Sequence, residues 1–374
     1  MSEYQYYEFR AVDKTLNELQ MKELRSISTR AKITPTYFTN TYHFGSFKGN
    51  AETFMEKYFD AFCYVANWGS HEFMVRLPAR LIDRSVLEFY CCCSNLSYKE
   101  RGDNCIIEFS SDIEPNGEFE DGESWLPSLL QIRSDLFNGD YRSLYLGWLS
   151  SIQAEEPSLC KLEPIVPAGL SELTDALDSL ADFLRIDRNL VEVAAKASLD
   201  MVPGEANLQS WLRSLAATER ESMLEKFIEG NDPHLRGAIL RQIRADQKQS
   251  QSNPRRTVGE LLQKSKVVSE TKRRMAEEHH RLEKERKEME LAAARASYLD
   301  DVEARQDQVW QQIEILIEMK SAAEYDRAVV LLTDLRDLFL RSARNEDFRR
   351  RARGLRERHS RKPSFVKRMD QKGL

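Results

Sequence analysis

Residues 257–297 constrain this chain more than any other stretch. They carry one apolar residue in every seven (Leu261, Val268, Met275, Leu282, Met289 and Ala296) inside a run of charge. That spacing predicts a long helix with a single narrow apolar stripe. A full coiled coil needs a second apolar position in each heptad. Here the alternate positions Ser265, Lys272, His279 and Arg286 are polar. Three readings stay open: a mainly solvated helix, a coiled coil with another copy or a partner, or packing on the chain's own body. Thr257 with Glu260 three residues on reads as a capping box at the helix start. Glu260–Lys264, Glu270–Arg274, Glu277–Arg281 and Glu283–Lys287 are spaced for i,i+4 pairing, each pair worth about 0.3 kcal/mol. If fully helical, about 40 residues would span roughly 60 Å.

Ahead of this helix, two regions are expected. Residues 1–123 read as a small mixed α/β domain. Strands are expected at 3–12, 36–44, 71–77 and 104–110, and helices at 14–28, 51–66 and 79–92, with Asp83 as a cap. Residues 124–246 read as helical. Two helices at 124–153 join near Asn138–Gly139, then helices follow at 170–184, 187–198, 206–216, 218–229 and 233–246, with Ser171 and Asp232 as caps and Pro233 in a first turn. Residues 247–256 read as a polar linker. After the charged helix come a helical hairpin over 298–340 and a basic tail over 341–374, mobile beyond Pro363. The expected class is α+β: a mixed N-terminal domain, a helical middle, a long charged helix and a C-terminal hairpin.

The net charge of −6 conceals an asymmetry: residues 1–160 hold 15 Lys/Arg against 24 Asp/Glu, and residues 341–374 hold 13 against 4. A basic tail of this kind can meet nucleic acid, an acidic protein face or the chain's own N-terminal half. In the nucleic-acid reading Arg349, Arg350, Arg351 and Arg353 contact phosphates. The opening MSEYQYYEFR shows no basic n-region or apolar h-region, and no apolar run reaches the roughly 20 residues of a membrane span. The expectation is therefore a cytoplasmic protein with no membrane partner. The 6 cysteines are sparse for this length, and Cys91, Cys92 and Cys93 are consecutive. Adjacent cysteines do not converge easily on one ion, so packing thiols are the plainer reading.

Residues 112–123 nearly match the twelve-residue calcium loop. Asp112, Glu114, Asn116 and Glu123 would supply oxygen ligands, with Gly117 at the turn. Glu114 and Pro115 depart from the pattern, and a strand rather than a helix precedes it. An acidic surface loop is the plainer reading. His279–His280 lack the i,i+4 spacing of helical metal ligands. Phosphate-binding, dinucleotide, nucleophile-elbow and zinc-protease signatures are all missing, and no cofactor is expected. Tyr4, Tyr6, Phe44 and Phe47 belong to a dense aromatic set that could form a core, a peptide groove or a base-stacking surface.

The strings SEYQYYEFRAVD, ITPTYF, YHFGSFKG and MEKYFDAFCYVANWG resemble a bacterial family of uncharacterised proteins that open this way. The resemblance continues through LADFLRID at 180–187, EGNDPHLR at 229–236, RRTVGELL at 255–262 and RKPS at 361–364. It implies a bacterial cytoplasmic setting and one fixed architecture, and it carries over no catalytic residue. The expected function is a non-enzymatic scaffold or regulatory adaptor for protein partners. Its contact residues would be Tyr4, Tyr6, Phe44 and Phe47, then Leu261, Val268, Met275, Leu282 and Met289 on the helix, then Trp310 in the hairpin. The helix would set the separation of the two ends and could also form a homo-oligomer. The alternatives are a nucleic-acid-associated protein using the tail, and an enzyme with a dispersed site in the N-terminal domain.

Overall fold

Aromatic and β-branched residues open the chain, and their two-residue alternation makes them a strand. The computed structural model describes residues 3–92, 94–114, 121–154, 159–199, 209, 211–229, 239 and 255–374. It divides into two units, residues 1–271 and 272–374.

The first unit is built on a seven-stranded sheet. Its strands are β1 (Gln5–Arg10), β2 (Lys32–Ile33), β3 (Tyr37–Tyr42), β4 (Ala61–Ala66), β5 (Ser70–Pro78), β6 (Leu96–Arg101) and β7 (Asn104–Asp112). Their order is β2-β3-β1-β4-β5-β7-β6, and every neighbouring pair is antiparallel. The helices between them are α1 (Glu18–Ile27), α2 (Ala51–Lys57) and α3 (Arg84–Tyr90). Beyond the sheet come α4 (Trp125–Phe137), α5 (Arg142–Ala154), α6 (Asp175–Phe183), α7 (Arg188–Ala195) and α8 (Ala217–Glu229). The class is α+β, as expected.

Side chains alternate across a strand, so the sheet has two distinct faces. One presents Cys63, Val65, Phe73, Val75, Ile107 and Phe109 to α4, α5, α6 and α7, where Tyr145 and Trp148 are fully buried. The other presents Phe9, Phe38, Phe62 and Met74 to α1 and α2, which insert Leu24, Phe54 and Met55. Phe9 stands 5.6 Å from Phe38, 5.3 Å from Phe54 and 4.4 Å from Phe62, centroid to centroid. Such ring pairs add about 0.5–1.5 kcal/mol each beyond their area. A buried carboxylate at the ends of the interior strands β4 and β5 fixes α4 to the sheet. Asp60 accepts from the Val12 and Asp13 amides and from Arg76, while Arg133 of α4 donates to the Arg76 carbonyl and to Asp13.

Two element assignments fail in this unit. Residues 51–66 are not one helix: α2 stops at Lys57, and Ala61–Ala66 is strand β4, buried at every position. Strand β6, Leu96–Arg101, falls where no element was expected; it is an edge strand with an exposed, charged end. The caps are better matched. Asp83 accepts from the Ser85 amide ahead of α3, and Gly139 takes φ +73 between α4 and α5. Ser171 is not a cap, because α6 begins after Thr174, whose side chain accepts from the Leu177 amide. Of the helix expected at 206–216, residues 209 and 211–214 are helical; the helix expected at 233–246, with Asp232 and Pro233, and the linker up to residue 254 lie wholly or mostly outside the described residues.

Helix α9 runs Val258–Ala304, further than the expected 297. Thr257 and Glu260 form the capping box, amide to side chain in both directions. In the first unit its opening turn is bound into the core. Val258 and Leu261 are fully buried, and the preceding Arg256 pairs with buried Glu163, which also takes the Tyr145 hydroxyl.

The second unit is a helical bundle of α9's later turns with α10 (Gln306–Glu318), α11 (Ala322–Arg341), α12 (Asn345–Arg358) and α13 (Pro363–Gln371). The expected hairpin is present in α10 and α11, though its first arm is split at Arg305, between α9 and α10. The segment 341–374 is not a mobile tail: Phe348, Ala352, Leu355, Phe365 and Met369 enter the bundle core beside Ile313, Leu332 and Leu335. Their apolar spacing is hidden between arginines, which is why charge alone misleads there.

Candidate functional site

The N-terminal aromatics divide according to strand register. Tyr4 and Tyr6 are buried, and their hydroxyls are engaged within the fold. Tyr4 donates to Asp121 and accepts from the Gly122 amide, while Tyr6 donates to Glu8. Phe47 is half-buried, 5.1 Å from Tyr7 and 5.2 Å from Phe54. Phe44 is 79% exposed.

Beside Phe47 the sheet face that α1 and α2 cover turns polar. Tyr7 and Tyr64 both donate to the Gln5 side-chain carbonyl, and Gln5 donates to the Gly45 carbonyl. Tyr64 faces Glu72 across β4 and β5, and Glu72 faces Ser110 across β5 and β7. Glu108 and Asp112 therefore lie on the two diagonals of Glu72, within reach of its charge. Burial, then Glu108, Asp112 and Glu52, push the Glu72 carboxyl from 4.5 up to about 7. Sequence reading missed this carboxyl. Its only local signal is a glutamate two residues before Met74, in a strand that also carries Ser70, His71 and Arg76.

Along α9 the heptad series changes character. Leu261 is fully buried and Val268 packs partly against the first unit's core. Met275, Leu282 and Met289 are 67%, 53% and 66% exposed. Ion pairs on this stretch include Arg273–Glu277, Arg281–Glu278, Arg281–Glu285 and Arg286–Glu290, none of them among the four that spacing suggested. Long exposed side chains have several partners of similar worth, each a few tenths of a kcal/mol. Trp310 sits on the second bundle, half-buried, with Phe348 6.2 Å away and Arg351 stacked 5.9 Å over its ring.

The basic residues of 341–374 are largely matched by acids of their own bundle. Arg341 pairs with Asp300, Arg344 with Glu303, Arg358 with Glu314, Lys362 with Glu318 and Arg368 with Asp326. Arg350 pairs with Asp347 and Arg351 with Asp307. Arg349 and Arg353 make no ion pair or hydrogen bond among the described residues.

Of the calcium-loop residues, Asp112 ends β7, and Glu114 and Glu123 are described, while Asn116 lies outside the described residues. Among the described residues no group of three or more His, Cys, Asp or Glu side chains is placed to hold a metal ion. Cys93 is outside the described residues. Burial pushes the Cys91 thiol up to about 12, with Cys105 and Cys92 adding to it, and burial does the same for Cys105. Such thiols stay protonated at neutral pH and act as packing groups. No described helix is long and apolar enough to cross a membrane. Comparison with protein-family models, curated proteins and solved structures yields no match to this chain.

Proposed function

We propose that this chain is a non-enzymatic adaptor that binds a protein partner along the apolar stripe of α9. The supporting observation is that Met275, Leu282 and Met289 continue the seven-residue series of Leu261 and Val268, yet each is more than half exposed. Three exposed aliphatic side chains in register on one face gain stabilisation only from a partner surface. Burying them would contribute about 1.5–3 kcal/mol each. The test is affinity purification of the full chain and of a Met275→Glu/Leu282→Glu/Met289→Glu variant, with nuclease treatment. The partner should remain bound to the native chain and be lost from the variant, while the variant keeps its helix content. A partner retained by the variant refutes the reading. A further copy of this chain as the partner would appear as a concentration-dependent mass in sedimentation.

The second reading, contact with nucleic-acid phosphates through 341–374, draws support from Arg349 and Arg353 alone of the four arginines named for it. Its expected signature is binding that weakens steeply with salt, at nearly one power of the salt concentration per phosphate contacted.

A further inference from the structure

A cavity of about 410 Å³ lies within the second unit, where α11 and α12 meet residues 373 and 374. Four arginines line it: Arg336 from α11, and Arg349, Arg353 and Arg356 from α12. The three on α12 are spaced i, i+4, i+7 and so share one face of the helix. Beneath them Leu340, Phe348 and Ala352 make an apolar floor. The volume falls within the ~300–1,000 Å³ typical of small-ligand sites, and the lining is at least as polar as it is apolar.

The charge in this cavity is only half compensated. Arg336 donates to the Lys372 carbonyl and to Asp337, and Arg356 pairs with Asp370 at 2.7 Å. Arg349 and Arg353 have no carboxylate within ion-pair reach among the described residues. Arg341, Arg344, Arg350, Arg351, Arg358 and Arg368 have acidic partners; Arg349 and Arg353 are the two of the four cavity arginines that have none among the described residues.

We infer that this cavity binds a phosphomonoester carried on a small organic group. Two uncompensated guanidinium groups match a terminal phosphate, which carries about −1.5 to −2 charge near pH 7. Guanidinium forks pair with phosphate oxygens two at a time, which fixes the group's orientation. A phosphodiester within a polynucleotide carries a single charge, so it matches two guanidinium groups less well than a terminal phosphate does. The apolar floor takes the organic part. The inference does not depend on the adaptor reading: the exposed stripe of α9 can bind its partner whether or not this cavity takes an anion.

The test is calorimetric titration of the full chain with ribose 5-phosphate, inorganic phosphate and a short oligonucleotide lacking terminal phosphates. The expected order is ribose 5-phosphate tightest and the oligonucleotide weakest. An Arg349→Gln/Arg353→Gln variant should bind ribose 5-phosphate at least tenfold more weakly with an unchanged melting temperature, because both side chains are exposed. An Arg350→Gln/Arg351→Gln variant removes the same charge from arginines that already have partners and should bind within twofold of the native chain. No binding of ribose 5-phosphate at millimolar concentration overturns the inference. So does equal loss in both variants, which would mark a general charge effect. An oligonucleotide binding as tightly as ribose 5-phosphate overturns it as well, in favour of a nucleic-acid surface.

Discussion

Replacing Glu72 by Gln should stabilise the first unit at neutral and alkaline pH and leave it little changed in acid. In the fold, Glu72 is partly withdrawn from water and shares its face with Glu108 and Asp112, which raises its carboxyl from 4.5 to about 7. Below about pH 4.5 the group is neutral in both the folded and unfolded chain, so its contribution to stability is fully present. Between 4.5 and 7 the unfolded chain ionises while the folded chain holds its proton, and stability is lost as pH rises through that window. Each tenfold change in proton affinity is worth about 1.36 kcal/mol, which gives roughly 3 kcal/mol as a ceiling at pH 8. Partial contact with water reduces this to about 1–2 kcal/mol. A glutamine keeps the shape and cannot ionise. The assay is urea unfolding of the native and E72Q chains at pH 4.5, 6 and 8, followed through amide exchange of β5 and β7. The difference between them should be near zero at pH 4.5 and grow to about 1–2 kcal/mol in favour of the variant at pH 8. A difference that stays flat with pH, or one that favours the native chain at pH 8, refutes the reasoning.

Other outcomes follow from particular contacts. Arg256→Ala leaves Glu163 buried beside the Tyr145 hydroxyl without its cation, and should lower the stability of the first unit by about 3–5 kcal/mol. An Arg256→Met/Glu163→Leu pair should cost markedly less, measured by thermal unfolding. Gly69→Ala sets a Cβ 2.3 Å from the Ile113 carbonyl oxygen at φ +109; backbone strain and displacement together should cost about 2 kcal/mol or more, read as a lower melting temperature. Ala343 holds φ +54 at the end of α11, so Ala343→Gly should stabilise the second unit by about 1 kcal/mol, seen as a raised melting transition of that bundle.

How much of this was legible in the chain depends on which physical signal each element carries. The start of α9 was readable because a capping box is local, three residues from end to end. The Asn138–Gly139 turn was readable because a positive φ favours glycine. Strand β4 was misread because a strand buried on both faces loses its alternation, and periodicity cannot separate such a run from a buried helix. The packing of α12 and α13 was missed because their apolar positions are few and lie between arginines whose acidic partners are supplied by α9, α10 and α11, about 40 residues away in sequence. Glu72 gains its environment from β4 and β7, and Glu163 from a residue 93 positions on. Neither can be assigned until strand register and tertiary contacts are known. Among the proposed contact residues, Tyr4 and Tyr6 look no different from Phe44 in composition. Only their place in the sheet separates buried rings from an exposed one.

The central claim is that the exposed heptad stripe of α9 receives a protein. A photocrosslinking scan along that helix tests it most directly, with a benzoylphenylalanine placed singly at positions 275, 277, 282, 284 and 289 of the full chain in its native host. The account predicts adducts with one protein at 275, 282 and 289, and little or none at 277 and 284, which lie on the opposite face of the helix. Adducts of equal yield at all five positions, or none at the three apolar ones, contradict it.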